Sequence, residues 1–249
     1  MAYRNQAFCW HGIISTDVEK AKAFYSEVLG WKVQTAKMGD EDSTMFAAGG
    51  VPRAHLSGPQ MPGVPSHWDN YLRVANVDAS TTAAKANGGQ VIVPPTDIPP
   101  GRFSVVASPS GALLSLFHEA DEAGAQDAPA GPGAIHWTEL NSGDLKADLA
   151  WLSAALGITA EAFPMPSGEY FILKGDGGQL GGAMQSPMPG SFWLSWVQVD
   201  DVDATLGRVQ RLGGQALTGL MNVEGVGRMA VVQDSTGGAF GIITPPDRR

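Results

Sequence analysis

Thr16-Asp17-Val18-Glu19-Lys20-Ala21-Lys22-Ala23-Phe24-Tyr25-Ser26-Glu27-Val28-Leu29-Gly30-Trp31 is the stretch from which the fold can be read. Thr16 and Glu19 have the spacing of a capping box, in which two side chains satisfy orphan amides reciprocally. Val18, Ala21, Phe24, Tyr25 and Val28 recur at helical spacing. Gly30 supplies the left-handed residue that ends such a helix. The pattern predicts a helix over 17–29, with an apolar strand over 7–14 before it.

The same grammar returns further along. With Trp137 placed over Trp10, Asp144 falls on Asp17 and Leu156-Gly157 on Leu29-Gly30. Val202-Asp203-Ala204 then matches Val77-Asp78-Ala79, Gly213-Gly214 matches Gly88-Gly89, Gly227-Arg228 matches Gly101-Arg102, and Gly237-Gly238 matches Gly111-Ala112. Chance would not keep that order, so the chain reads as an internal repeat. Residues 121–133 are rich in Ala, Gly, Pro and acid and lack large apolar side chains, which is the composition of a linker. The expected organisation is one module over 1–120, a linker over 121–133 and a second module over 134–249.

Further helices are expected over 78–87, 144–156 and 203–212. Short apolar runs surround them, at 71–74, 103–107, 113–117, 135–140, 170–173, 193–199, 229–232 and 240–243. Strand, helix, then several strands, used four times, argues for an α+β fold with helices on one side of a curved sheet. The other face is concave and must be filled by side chains, a ligand or both. Pro94-Pro95 and Pro99-Pro100 lie between strands and predict a rigid loop.

Composition bounds the function. The formal net charge is −9 and no basic stripe exists, which argues against a nucleic-acid partner. The single cysteine, Cys9, allows no internal disulfide and reads as a small buried residue. No apolar run approaches the ~20 residues that span a bilayer. The first residues lack a signal peptide's apolar stretch. The expectation is a cytoplasmic chain, monomer or homodimer, with a small-molecule partner.

Four βαβββ units in two pairs resemble the vicinal oxygen chelate superfamily, the glyoxalase/bleomycin resistance/dioxygenase group. The residues that carry the resemblance are 16–31, the Val-Asp-Ala and Gly-Gly signals of the second helices, and the turns Ser108-Pro109-Ser110-Gly111 and Asp234-Ser235-Thr236-Gly237. It is similar to the two-module branch often described as hydroxylase or lactoylglutathione lyase. The resemblance implies tandem modules, each with a curved mixed sheet and helices on its convex face. Metal-using members place His or Glu ligands on the concave face. Carried over, these positions fall on Trp10, His55, Asp69 and Ser115 in the first module, and on Trp137, Gly182, Leu194 and Gly241 in the second. Trp, Leu and Gly side chains cannot ligate Zn, Ni or Fe. The expectation is therefore no metal cofactor. The alternative is a divalent ion held by His11, His55 and Asp69, if His11 points inward rather than into the helix layer.

Other residues complete the candidate site. Trp10 and Trp137 are pocket walls for a flat ligand, or core fillers whose indole N–H needs a partner. Glu139 shares a strand face with Trp137, as does Asn141. In an apolar cup Glu139 could serve as a general base beside a carbonyl, or as a structural partner of Arg228. Arg102 and Arg228 could orient a carboxylate or carbonyl, or sit on a solvated rim. Tyr71 and Trp196 belong to aromatic runs, 67–71 and 192–196, that suit a pocket wall or an interface. Three readings stay open. One is a metal-free binder of a small apolar or aromatic molecule. Another is a glyoxalase-like lyase, isomerase or hydroxylase that abstracts a proton next to a carbonyl. The third is a domain used mainly for self-association, its concave faces filled by side chains.

Overall fold

The computed structural model describes residues 5–38, 41–121, 129–165 and 168–246. Part of the predicted linker, 122–128, lies outside them, as do Arg248 and Arg249. Among the described residues no helix is long and apolar enough to cross a membrane.

The first half runs β1 (Phe8–Ile14), α1 (Val18–Leu29), β2 (Lys32–Met38), β3 (Glu41–Ala48), β4 (Val51–Ser57), β5 (His67–Arg73), α2 (Val77–Ala86), β6 (Gln90–Ile98), β7 (Gly101–Ala107) and β8 (Leu113–Glu119). The second half repeats it as β9 (Ile135–Ser142), α3 (Leu145–Leu156), β10 (Thr159–Met165), β11 (Gly168–Gly175), β12 (Gly178–Gln185), β13 (Phe192–Gln198), α4 (Val202–Arg211), β14 (Gln215–Ala216), β15 (Met221–Val223), β16 (Gly227–Gln233) and β17 (Ala239–Thr244). Two mixed sheets result, in strand order β2-β3-β4-β1-β5-β8-β7-β6 and β10-β11-β12-β9-β13-β17-β16-β14. This is the tandem α+β fold that the repeat predicts.

All four helices start at a side-chain cap. Asp17, Asn76, Asp144 and Asp201 each accept from the amide three residues on. The first cap is thus Asp17, not the Thr16 of the predicted capping box; the Thr16 amide instead donates to Ser66 Oγ at 3.0 Å. Gly30 and Gly157 take the left-handed conformation that ends α1 and α3, with φ of 66° and 68°. The predicted proline loop is a correction: Pro94 and Pro95 lie inside β6. That strand is the last in its sheet, and its pairing with β7 shifts register between Val93 and Thr96. An edge strand with an irregularity needs no amide at those positions.

Contacts gather the chain into two compact units that are not its two halves. One holds Phe8–Trp10, the stretch from Asp69 through β8, and the stretch from Trp137 to Trp193. In it α2 packs on α3, and Leu72, Leu114 and Leu116 share a core with Leu140, Leu152, Leu173 and Ala183. Trp151 Nε1 donates to the Ala84 carbonyl at 3.0 Å, tying the helices together. The other unit holds His11–Trp68, residues 129–136 and the described residues from Leu194 on. There α1 packs on α4, and Ile13, Phe24, Leu56 and Trp68 share a core with Val197, Phe240 and Ile242. Its polar centre is Asp234, which accepts from the buried Tyr25 hydroxyl at 2.6 Å and from the amides of Thr236, Gly237 and Gly238. Each unit is thus a helix pair covered by strands of both sheets. The strand faces turned away from the helices are left open.

Candidate functional site

The open face of the second sheet is built by strand alternation. Thr138 and Leu140 are buried on the helix side, so Trp137, Glu139 and Asn141 turn the other way. Parallel pairing of β12 with β9 sets Gly182 beside Glu139 and Met184 beside Asn141. Antiparallel pairing of β11 with β12 sets Tyr170 beside Met184 and Ile172 beside Gly182.

These side chains form one network. Trp137 Nε1 donates to Tyr170 Oη at 2.9 Å, and Tyr170 Oη donates to Glu139 Oε2 at 3.0 Å. Asn141 Nδ2 donates to Glu139 Oε1 at 3.2 Å. Glu139 is only 7% exposed, so neutral donors largely take the place of bulk water around these oxygens. Tyr170 is held well above the usual phenol range, first by burial and then by the Glu139 carboxylate beside it. It therefore remains a donor throughout the physiological pH range. Gly182 is the space the network needs: a Cβ there would collide with Tyr170 Oη and stand 2.8 Å from Trp137 Nε1.

The first sheet carries the other candidates. β1 and β4 pair so that Gly12 lies beside His55, and β5 and β8 pair so that Tyr71 lies beside Ser115. Leu72, Leu114 and Leu116 face the helices, so Asp69, Tyr71 and Ser115 lie on the open face. Burial raises the Tyr71 phenol, and Asp69 adds to the effect. Trp10 shares its face with Gly12. His11 takes the opposite side: it is buried, with Ser195 Oγ at 3.5 Å from its Nδ1. In the second sheet Trp196 pairs with Gly241, where a Cβ would collide with the Trp196 ring. Trp196 Nε1 is buried with no hydrogen-bond partner among the described residues.

The positions that the resemblance assigns in the second sheet are Trp137, Gly182, Leu194 and Gly241, whose side chains offer no ligating atom. The space at Gly182 is taken by Tyr170 and Trp137, and that at Gly241 by the Trp196 ring. The first sheet offers His55 and Asp69, with Trp10 and Ser115 at the remaining positions. Among the described residues no group of three His, Cys, Asp or Glu side chains could hold an ion. His11 belongs to the helix layer, so the alternative set His11, His55 and Asp69 does not share one face.

Both arginines lie elsewhere than a ligand site would require. Arg102 pairs with Asp78 and Asp97, each at 2.7 Å, and Arg228 pairs with Asp203 and Asn222. Asp78 and Asp203 are the matching first-turn residues of α2 and α4. Each arginine thus clamps a strand to its helix, on the side away from the open face. Arg228 is accordingly not the partner of Glu139. The residue that sequence reasoning missed is Tyr170, on a strand distant in the chain. The requirement that the Trp137 indole find an acceptor was the one signal that pointed to it.

Comparison with known proteins places these features in context. The family model described as Glyoxalase/Bleomycin resistance protein/Dioxygenase superfamily matches residues 8–116. A Mycobacterium bovis protein named "Putative glyoxylase CFP32" is 32% identical over 98% of this chain and 96% of its own length. "Anthracycline biosynthesis protein DauV" of Streptomyces sp. (strain C5) is 26% identical over 94% of this chain and 91% of its own. In fold, the chain is similar to the Mn(II)-bound glyoxalase from Novosphingobium aromaticivorans, with a TM-score of 0.65 and 17% identity over 97% of this chain and 82% of that one.

Proposed function

The chain belongs to the glyoxalase/bleomycin resistance protein/dioxygenase superfamily, and from that premise we propose that it binds a small apolar or aromatic molecule at Glu139, without a family metal. One observation carries this reading: the Tyr170 hydroxyl occupies the space over Gly182, a coordinating position in metal-using members, and is bonded to a buried carboxylate. A carboxylate is an acceptor only, so the matching ligand group is an O–H or N–H donor. Trp137, Tyr170 and Met184 supply the apolar surround. One relative is named for anthracycline biosynthesis, which is in keeping with an aromatic ligand.

The test is a thermal-shift screen with aromatic phenols and amines, run beside metal analysis of the purified protein. Stabilisation that disappears in Glu139→Gln, with no stoichiometric divalent ion bound, is the expected result. A retained ion, or stabilisation indifferent to Glu139→Gln, overturns the reading.

A second reading has one observation in its favour, the 32% identity to a protein named putative glyoxylase. Glu139 would then be a general base that takes a proton from a carbon next to a carbonyl. Turnover of the methylglyoxal–glutathione adduct, abolished in Glu139→Gln, supports it; no turnover by the wild type removes it.

A further inference from the structure

Resting on that reading, we infer that the site crosses four strands and takes a flat fused-ring aromatic, its hydrogen-bond donor at Glu139 and its far ring on Phe163. Successive pairings align one row of side chains: Phe163 beside Tyr170, Tyr170 beside Met184, Met184 beside Asn141. Directly paired residues share a sheet face. Tyr170 lies on the open face because it bonds Glu139, so Phe163 lies there too. Adjacent strands are about 4.8 Å apart, and three steps make the row roughly 14 Å long. That length suits a tricyclic or tetracyclic ring system rather than a single ring.

The row also has a direction. Its inner end is polar, with the Asn141 amide bonded to the Glu139 carboxylate. Its outer end is apolar. A groove of about 320 Å³ runs along the β10–β11 hairpin, lined by Phe163, Met165 and Tyr170 of this row's face and by Pro164 and Phe171 of the alternate positions. Tyr170 is common to this groove and to the carboxylate network. Phe163 is 43% exposed on a strand at the end of its sheet. This strand already carries Glu161 and Pro164, residues of the kind that discourage association at a sheet edge, so the exposed Phe is not there for that purpose, and a core-forming Phe would be buried. An aromatic side chain left open beside a groove whose lining shares Tyr170 with the Glu139 network fits the wall of a ligand site.

Isothermal titration with 2-naphthol, 1-hydroxypyrene and pyrene tests this. The wild type should bind 1-hydroxypyrene about tenfold tighter than either 2-naphthol or pyrene, since one lacks the outer rings and the other the donor. Phe163→Ala should weaken 1-hydroxypyrene about tenfold and leave 2-naphthol unchanged. Phe163→Trp, which keeps an aromatic wall, should retain 1-hydroxypyrene binding and guards against a variant that fails to fold. If Glu139→Gln weakens 2-naphthol but Phe163→Ala affects both phenols equally or neither, the row is wrong and the Glu139 site stands. If Glu139→Gln changes neither phenol, both readings fall.

Discussion

Tyr170→Phe is the sharpest single perturbation of the network. It deletes one oxygen and leaves the ring in place. That oxygen accepts from Trp137 Nε1 at 2.9 Å and donates to Glu139 Oε2 at 3.0 Å, so two groups lose a partner at once. A neutral hydrogen bond contributes about 1 kcal/mol net, and one to a charged group about 1.5–3 kcal/mol. Trp137 and Tyr170 are half-buried, and water can partly replace the lost atom. The cost should therefore be about 2–3 kcal/mol. For a chain of this length that lowers the melting temperature by roughly 5–10 °C. The assay is urea denaturation of the wild type, Tyr170→Phe, Gly182→Ala and the double variant. Gly182→Ala acts on the same oxygen from the other side, because its Cβ would collide with Tyr170. The two costs should therefore sum to more than the double variant loses. A Tyr170→Phe protein within about 0.5 kcal/mol of wild type would refute the reasoning, because surface changes fall in that range.

Two other outcomes follow from the same chemistry. Tyr25, Tyr71 and Tyr170 all ionise above the usual phenol range, with burial as the first cause of each. Their protonated forms are favoured in the folded state, so the associated stability is fully present below about pH 10 and is lost as the pH rises beyond it. Near-ultraviolet titration should show these phenols ionising together with unfolding; separate, reversible ionisation in the folded protein would contradict their burial. Asp234→Ala removes the acceptor of the Tyr25 hydroxyl and of three turn amides. A loss of about 3–5 kcal/mol in denaturant unfolding is expected, and one under about 1 kcal/mol would show that the turn holds without it.

Much of the fold was legible because it rests on local rules. Caps, helix-ending glycines and the order of the two copies depend on neighbours in sequence. Strands β2 and β3 were harder, since residues 32–35 are all exposed while β3 passes from the exposed Asp42 to the consecutively buried Phe46, Ala47 and Ala48, and neither shows a clean alternation. The prolines of β6 read as a loop because nothing in sequence says that a strand will be the last in its sheet. The site divided in the same way. Trp137, Glu139 and Asn141 share one strand, so alternation alone groups them. Tyr170 reaches Glu139 only through the pairing of β11 with β12 and of β12 with β9, which no local pattern encodes. The arginines misled for the opposite reason: a Gly-Arg pair at a strand start looks the same whether the side chain turns to the open face or to a helix.

The register explains why the two sheets offer different chemistry at one place. Gly12 beside His55 in the first sheet corresponds to Glu139 beside Gly182 in the second. Each pair holds one glycine and one polar side chain, but the polar group has changed strands. In the second sheet the space over the glycine is taken by Tyr170. A histidine placed at position 182 would therefore not by itself create a ligand set, because the imidazole and the phenol would compete for the same volume. Holding the carboxylate by hydrogen bonds at this place needs the glycine, the tyrosine and the glutamate together. Any one alone leaves either a collision or a buried charge without its donor, which is why the single variants Tyr170→Phe and Gly182→Ala should each be costly.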